Sequence, residues 1–269
     1  MDRPARFAGS WYPGDPARLE AEIAAAEGPP ARRASARALV LPHAGYRFSL
    51  RIGAPAVARV EVPPLVAVLC PNHTVPPPIV AAWPDGAWET PLGRVSIDAE
   101  VTQALARGYP ELRTDPDAAL RAHLREHAIE LVLPLLQRRR ADLRLVAVVV
   151  AEPRLERLQA LGRALAAALA GREALIVASS DMSHFLDAEE ARRRDERALE
   201  RLRAFDPVGL LQRCEDEDIS MCGVRPTVVA LEAARALGAS AVEVVAYGHS
   251  GEVTGDDERV VGYAAAIVR

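Results

Sequence analysis

The chain has 269 residues, half of them hydrophobic, which is typical of one globular domain with a large buried core. Its formal net charge of −4 argues against the basic surface of a nucleic-acid-binding protein. All 33 basic residues are arginines, so a Schiff-base lysine and a phosphate-binding P-loop are excluded. We predict a single domain over residues 1–269 that binds no nucleic acid.

The sequence contains no signal for export or membrane insertion. No apolar stretch has the length of a membrane-spanning helix, and the first six residues lack the apolar core of a signal peptide. The three cysteines, Cys70, Cys214 and Cys222, are too few and too odd in number for a disulfide framework. We expect a cytoplasmic protein, without membrane association, in which any special cysteine acts as a thiol or as a ligand.

Apolar runs and amphipathic stretches alternate along the chain. Buried strands are predicted at Ala38 to Leu41, Leu65 to Leu69, Leu143 to Val150, Ala174 to Ala178 and Val242 to Ala246. Helices are predicted at Leu19 to Ala26, Ala128 to Gln137, Leu155 to Ala170, Ala188 to Arg203 and Pro226 to Leu237. The alternation predicts an α/β fold with a mostly parallel central sheet flanked by helices.

Two segments depart from this alternation. Residues 79–97, with Pro84-Asp85-Gly86 as a turn signal, are typical of an antiparallel excursion. The apolar run from Val260 to Ile267 predicts a final strand at an edge of the sheet.

Four of the six histidines follow predicted strands: His43, His73, His184 and His249. Open α/β sheets bind ligands beyond the carboxyl ends of their strands, so these side chains should share one rim. A single loop histidine is more often a hydrogen-bonded surface residue, but imidazole is also the commonest metal ligand in proteins. The pattern therefore predicts that His43 and His73 converge on a metal ion.

Asp181, His184 and Cys222 are further candidates for the same rim. Asp181 and His184 are three residues apart, a spacing that can point both at one spot as ligand and acid/base, or as an orienting pair. Cys222 precedes a helix opened by Val224, where a thiolate is stabilised by free backbone amides. The ordinary alternative for Cys222 is a buried small hydrophobe. Cys70 and Cys214 have the pattern of structural residues.

A short motif offers a competing interpretation. The residues from His123 to His127 fit the H-x-x-E-H pattern of inverted zinc peptidases, in which two histidines of one helix bind zinc. A five-residue pattern of this kind arises easily by chance, and no downstream acidic ligand can be singled out.

Seven ordered motifs resemble those of the Memo-like family, whose bacterial and archaeal members are called AmmeMemoRadiSam system protein B. The resemblance runs nearly from end to end of the chain. The motifs are Ala8-Gly9-Ser10-Trp11-Tyr12-Pro13, Pro42-His43-Ala44-Gly45-Tyr46, Pro71-Asn72-His73-Thr74, Thr90-Pro91-Leu92-Gly93, Glu126-His127-Ala128-Ile129-Glu130, Ser179-Ser180-Asp181-Met182-Ser183-His184 and Cys222-Gly223.

The resemblance implies a fold similar to class III extradiol dioxygenases, the LigB-like fold, and a mononuclear metal site. It assigns the ligands to His43, His73 and Cys222, and it places Asp181, His184 and His127 in the same pocket. A cysteine in place of the carboxylate of a two-histidine triad favours iron first, copper next and zinc third. By motif neighbourhood, Tyr46 and His127 would orient bound species, while Asp181 and His184 would manage protons.

Three functions are open at this point. The leading hypothesis is a metal-dependent oxidoreductase, dioxygenase-like, acting on a small molecule. The second, implied by the resemblance, is a peptide- or protein-binding module that works with a radical SAM enzyme and an AMMECR-domain protein. The third is a zinc-dependent hydrolase, which requires His123 at the metal.

Overall fold

The computed structural model describes residues 1–29, 32–74 and 80–269. None of the helices in these ranges is long and apolar enough to cross a membrane. The strands are β1 (Asp2–Arg3), β2 (Ala38–Leu41), β3 (Leu65–Cys70), β4 (Val80–Ala82), β5 (Ala87–Thr90), β6 (Gly93–Ile97), β7 (Arg144–Val150), β8 (Ala174–Ser179), β9 (His184–Leu186), β10 (Val242–His249) and β11 (Val260–Val268). The helices are α1 (Pro16–Ala26), α2 (Tyr46–Ala58), α3 (Ala99–Gly108), α4 (Pro116–His123), α5 (Ala128–Gln137), α6 (Leu155–Leu169), α7 (Ala188–Arg203), α8 (Pro207–Asp216), α9 (Val224–Ala236) and α10 (Gly251–Thr254).

The strands of the described ranges form one mixed sheet in the order β1-β5-β6-β7-β3-β8-β2-β11-β10. Strands β6, β7, β3, β8 and β2 are parallel to one another, and β4 joins β7 antiparallel. Strand β11 runs antiparallel to β2, β9 and β10. The predicted single α/β domain with a mostly parallel sheet is confirmed.

Both faces of the sheet are covered by apolar layers. In β3, Leu65, Ala67 and Leu69 face a core built with α6 and α9, whereas Val66, Val68 and Cys70 face a second core built with α2 and α5. Successive strand residues point to opposite faces, so a strand covered on both sides needs apolar residues at every position. This requirement explains why the central strands are continuous apolar runs in the sequence.

The five predicted strands and five predicted helices are present, with ends that shift by a few residues. Helix α1 begins at Pro16, earlier than predicted, because the Asp15 side chain accepts a hydrogen bond from the Arg18 amide and caps the helix. The sequence analysis did not predict α2, α3 and α4. Gly53 and Pro55 lie inside α2 and weaken its helical pattern.

Of the two segments outside the alternation, residues 79–97 agree with the prediction and the last strand does not. Strands β5 and β6 pair antiparallel, as predicted for residues 79–97, of which Ile79 lies outside the described residues. The prediction that the last strand forms an edge is wrong. Strand β11 lies between β2 and β10, and nearly all its residues are buried, whereas β10 is the half-buried strand at the edge.

Candidate metal site

The site lies at the rim where three neighbouring parallel strands end. His73 follows β3, Asp181 follows β8 and His43 follows β2, and these strands are adjacent in the sheet. Cys222 precedes α9 and reaches the same rim. The structure therefore brings together the three predicted ligands from three distant segments, and their ligand atoms lie within 4.8 Å of one another.

Gly223 allows Cys222 to approach the end of β8. A Cβ atom at position 223 would lie 2.3 Å from the carbonyl oxygen of Ser179 and 2.4 Å from Cβ of Ser180, which is impossible without displacement. The Gly223 amide also donates a hydrogen bond of 2.9 Å to the Ser180 hydroxyl. The pair Cys222-Gly223 thus has a structural reason: the glycine lets the chain come close enough to present the thiol.

His43 is buried and has a defined tautomer. Its Nδ1 lies 2.7 Å from the Ser179 hydroxyl oxygen, and that hydroxyl donates its own proton to the Ala128 carbonyl. The Ser179 oxygen must then accept from Nδ1–H, which leaves the lone pair on Nε2. His43 Nε2 lies 3.3 Å from Cys222 Sγ. Burial, helped by the charge of His73, lowers the pKa of His43 to about 3, so the imidazole is neutral.

His73 is held by the buried carboxylate of Glu126. Glu126 accepts hydrogen bonds from Nδ1 and the backbone amide of His73, at 2.9 and 2.8 Å, and from the Ala128 amide at 3.0 Å. Burial opposes ionisation of Glu126, but the contacts with His73 outweigh it and bring the pKa of the carboxyl to about 2. Burial lowers the pKa of His73, and Glu126 reverses this to a net increase. Because Glu126 accepts from Nδ1–H, His73 offers Nε2 to a metal ion once the Nε2 proton has left.

His127 closes one side of the site with aromatic contacts. Its ring stacks on His73 at 4.8 Å between centroids and packs on Trp11 at 4.5 Å. His127 Nδ1 lies 3.5 Å from Glu126 Oε1, so these two residues and His73 form a second group of possible metal ligands. Burial, with the charge of His43 next, lowers the pKa of His127 to about 4.

Asp181 lies in the loop after β8, and His184 is the first residue of β9. Asp181 Oδ1 accepts the His43 amide at 2.8 Å, and the Asp181 amide donates to Cys222 Sγ at 3.3 Å. Burial raises the pKa of the Asp181 carboxyl, against the opposing hydrogen bond from His43. His184 Nδ1 lies 2.9 Å from the Ser220 carbonyl, which can only accept, so Nδ1 carries a proton.

The Cys222 thiol differs from the expectation for a helix N-terminus. Burial, reinforced by the negative charge of Asp181, raises the pKa of the thiol far above its usual range. The Asp181 amide and the Ser180 hydroxyl lower it by less than burial raises it. At the start of α9 the Val224 and Thr227 amides donate to the carbonyls of Met221 and Gly223, so the thiol needs a nearby cation to ionise at neutral pH.

The site opens into a cavity of about 740 Å³. His43, His73, His127, Asp181 and His184 line it. Tyr46 also lines the cavity, but its buried hydroxyl donates to the Leu131 carbonyl at 2.9 Å. Its predicted role in orienting bound species stays a prediction, and the hydroxyl hydrogen is already committed to the backbone.

His123 lies apart from this cluster. Its ring packs edge-on against Trp83 and Trp88, and Nε2 lies 3.0 Å from the Ala81 carbonyl. In the described part of the chain, His123 belongs to neither group of possible metal ligands. The H-x-x-E-H motif does not bring its two histidines to one metal here.

The sequence analysis missed the two residues that orient the histidines. Ser179 lies in the motif that contains Asp181, and Glu126 lies both in the H-x-x-E-H pattern and in the motif that begins at Glu126. A signal existed for both, because each belongs to a motif already singled out. No residue pattern, however, indicates which histidine a given carboxylate or hydroxyl contacts.

Comparisons with known proteins identify the family of this chain. A family model described as Memo-like protein matches residues 3–267. A MEMO1 family protein of Aquifex aeolicus is 38% identical over 267 residues, covering 98% of this chain and 98% of the relative. One from Methanopyrus kandleri is 36% identical over 285 residues, covering 100% and 99%. A crystal structure of an uncharacterized protein from Escherichia coli, 13% identical with a TM-score of 0.55 over 86% of this chain and 99% of its own, shares the fold alone.

Together, fold and site define an α/β protein with a possible His/His/Cys metal site at the carboxyl rim of its sheet. By full-length similarity, the chain belongs to the Memo-like family.

Proposed function

We propose that the chain is a mononuclear non-haem metalloprotein with His43, His73 and Cys222 as ligands. The observation that carries this proposal is the fixed tautomer of both imidazoles. Ser179 and Glu126 hold the Nδ1 protons, so both Nε2 lone pairs remain for a metal ion next to the thiol. Metal-binding histidines in proteins are commonly oriented in this way by a partner on the other ring nitrogen.

The donor set fits a soft or borderline metal. Two imidazoles and a thiolate favour iron or copper and also suit zinc, and we propose iron first, copper next and zinc third. A cation at this position would also lower the pKa of the buried Cys222 thiol, which desolvation otherwise raises. Bound iron or copper would supply one-electron redox chemistry.

The remaining polar residues suit the handling of protons and substrate. Asp181 and His184 are proposed to hold and move protons, since burial raises the pKa of Asp181 and His184 keeps Nε2 as a second proton site. His127 and Tyr46 are proposed to orient bound species, His127 through its ring and Tyr46 by shaping the cavity wall. The resemblance to class III extradiol dioxygenases supports an oxidation of a small molecule as the reaction.

Two alternatives remain as predictions. A peptide- or protein-binding module that acts with a radical SAM enzyme and an AMMECR-domain protein follows from the family resemblance. Zinc-dependent hydrolysis would need a metal site that does not use His123 as a ligand, because the His123 ring contacts the Ala81 carbonyl and two tryptophans.

The test is reconstitution under anaerobic conditions with ferrous iron, cuprous copper or zinc, one metal per sample. We expect near-stoichiometric binding of iron or copper and oxygen consumption by the loaded protein in the presence of a reductant. Tight zinc binding together with no oxygen consumption by the iron or copper form would contradict the redox proposal. Unchanged metal content in a His123→Ala variant would exclude the peptidase arrangement.

A further inference from the structure

In the part of the chain that the structure describes, the cavity above the candidate metal site has one cationic side chain without a protein counter-ion. Its charged lining residues beyond the histidine cluster are Asp15, Arg18, Glu22 and Arg47. Arg18 pairs with Glu22 at 2.9 Å, and Asp15 caps α1 by accepting the Arg18 amide. Within the described residues, Arg47 makes neither a side-chain hydrogen bond nor an ion pair with a carboxylate.

The Arg47 side chain is exposed, and its guanidinium has an aromatic neighbour. Its Cζ lies 4.6 Å from the centre of the Phe48 ring, and Phe48 in turn stacks on the buried Tyr263 ring, 6.4 Å away. Stacking uses the face of the guanidinium and leaves its N–H donors free at the edge. Two N–H groups at this edge can bind a carboxylate or a phosphate through two parallel hydrogen bonds.

We propose that Arg47 binds an anionic group of the substrate, a carboxylate or a phosphate, in the cavity that the metal site faces. The proposal deepens the proposed function and rests on it, because it treats the cavity as the substrate site. Aromatic side chains form part of the wall: Trp11, Tyr12 and Phe48 line the cavity, and Trp11 is exposed over 39% of its surface. The substrate class is therefore a small organic anion whose apolar part packs on these rings.

The experiment measures binding of benzoate, benzyl alcohol and inorganic phosphate by calorimetry. Benzyl alcohol has the ring of benzoate without its charge, and phosphate has the charge without the ring. The variants are Arg47→Gln and, as a matched control, Arg51→Gln, which removes the same charge one turn along α2 from an arginine paired with Glu252. Metal content is measured in every sample, and the titrations are repeated after removal of metal by a chelator.

We expect benzoate or phosphate to bind the unaltered chain at least about tenfold more tightly than the Arg47→Gln variant. The Arg51→Gln variant should stay within about twofold, since that arginine contributes only a screened long-range field. The anion that depends on Arg47 identifies the substrate's charged group.

Any of four results would overturn the proposal. These are equal anion binding by the Arg47→Gln variant, an equal loss in the Arg51→Gln variant, no binding of either anion to the unaltered chain, and, when benzoate is the anion that binds, benzyl alcohol binding as tightly as benzoate. Failure of the metalloprotein proposal is a separate result. A chain that takes up no metal but binds an anion through Arg47 would refute the metal site and leave the anion site standing.

Discussion

Replacement of Arg3 by methionine should destabilise the protein strongly, because Arg3 carries a fully buried charge under the site. Arg3 and Glu130 form an ion pair at 2.5 Å, and neither side chain is exposed to solvent. Arg3 also donates to the carbonyl oxygens of His123 and Glu126, at 2.9 and 2.8 Å, and its guanidinium lies 4.2 Å above the Trp88 ring. It therefore ties the N-terminus to the segment that holds the candidate ligand His73.

The expected cost follows from what remains after the change. In the Arg3→Met variant, the partners left to Glu130 among the described residues are the Tyr12 hydroxyl at 2.9 Å and the Phe7 amide at 2.8 Å. Removing one partner of a buried ion pair typically costs about 3–5 kcal/mol, because the other charge stays desolvated. The double variant Arg3→Met/Glu130→Gln removes that charge and keeps an oxygen acceptor, so it should recover at least about half of the loss.

The assay is urea unfolding of the metal-free protein, followed by tryptophan fluorescence. The control is Arg94→Met, which breaks an exposed ion pair with Asp2 near the same N-terminal strand and should cost less than about 1 kcal/mol. A loss below about 1 kcal/mol for Arg3→Met would refute the reasoning. So would a double variant that unfolds as easily as the single one.

Three further predictions concern the site. Glu126→Gln should weaken metal binding by about 10–100-fold in chelator competition, because His73 loses its anionic partner. The control Glu152→Gln changes a buried carboxylate elsewhere and should leave metal binding unchanged. Gly223→Ala should lower the free energy of unfolding in urea by at least about 1–3 kcal/mol, because the added Cβ would lie 2.3 Å from a carbonyl oxygen. The control is Gly53→Ala, where the nearest atom is 3.6 Å away. A loss for Gly223→Ala no larger than that for Gly53→Ala would contradict the prediction. Burial lowers the pKa of His43 from 6.5 to about 3, so the unfolded chain takes up a proton first and the metal-free protein should lose stability as pH falls from about 6.5 towards 3. Urea unfolding between about pH 7.5 and 5.5 tests this, with a shallower slope expected for His43→Gln.

The sheet was largely predictable because its central strands are covered on both faces. The runs in β3, β7 and β8 are apolar at every position except Arg144 at the start of β7 and Ser179 at the end of β8, a pattern few other elements share. The order of the strands in the sheet was harder to predict, because the local sequence of a strand does not indicate which distant strand it pairs with. The apolar composition of β11 carried a hint, since a strand buried at nearly every residue belongs inside a sheet rather than at its edge.

The candidate ligands could be predicted, but the contacts that prepare them could not. Histidines after parallel strands converge by topology alone, which is why His43 and His73 were identified. The tautomers depend on Ser179 and Glu126, whose contacts join segments 136 and 53 residues apart. The high pKa of Cys222 likewise depends on burial beside Asp181, whereas the sequence reveals only the helix start after it.

The most direct test of the account is the metal content of the anaerobically purified chain beside two serine variants. Cys222→Ser removes the proposed thiolate ligand, and Cys214→Ser makes the same change at a buried cysteine of α8 outside the site. The account predicts near-stoichiometric iron or copper in the unaltered chain and in Cys214→Ser, and its loss in Cys222→Ser. Equal metal content in both variants, or no metal in any sample, would contradict it.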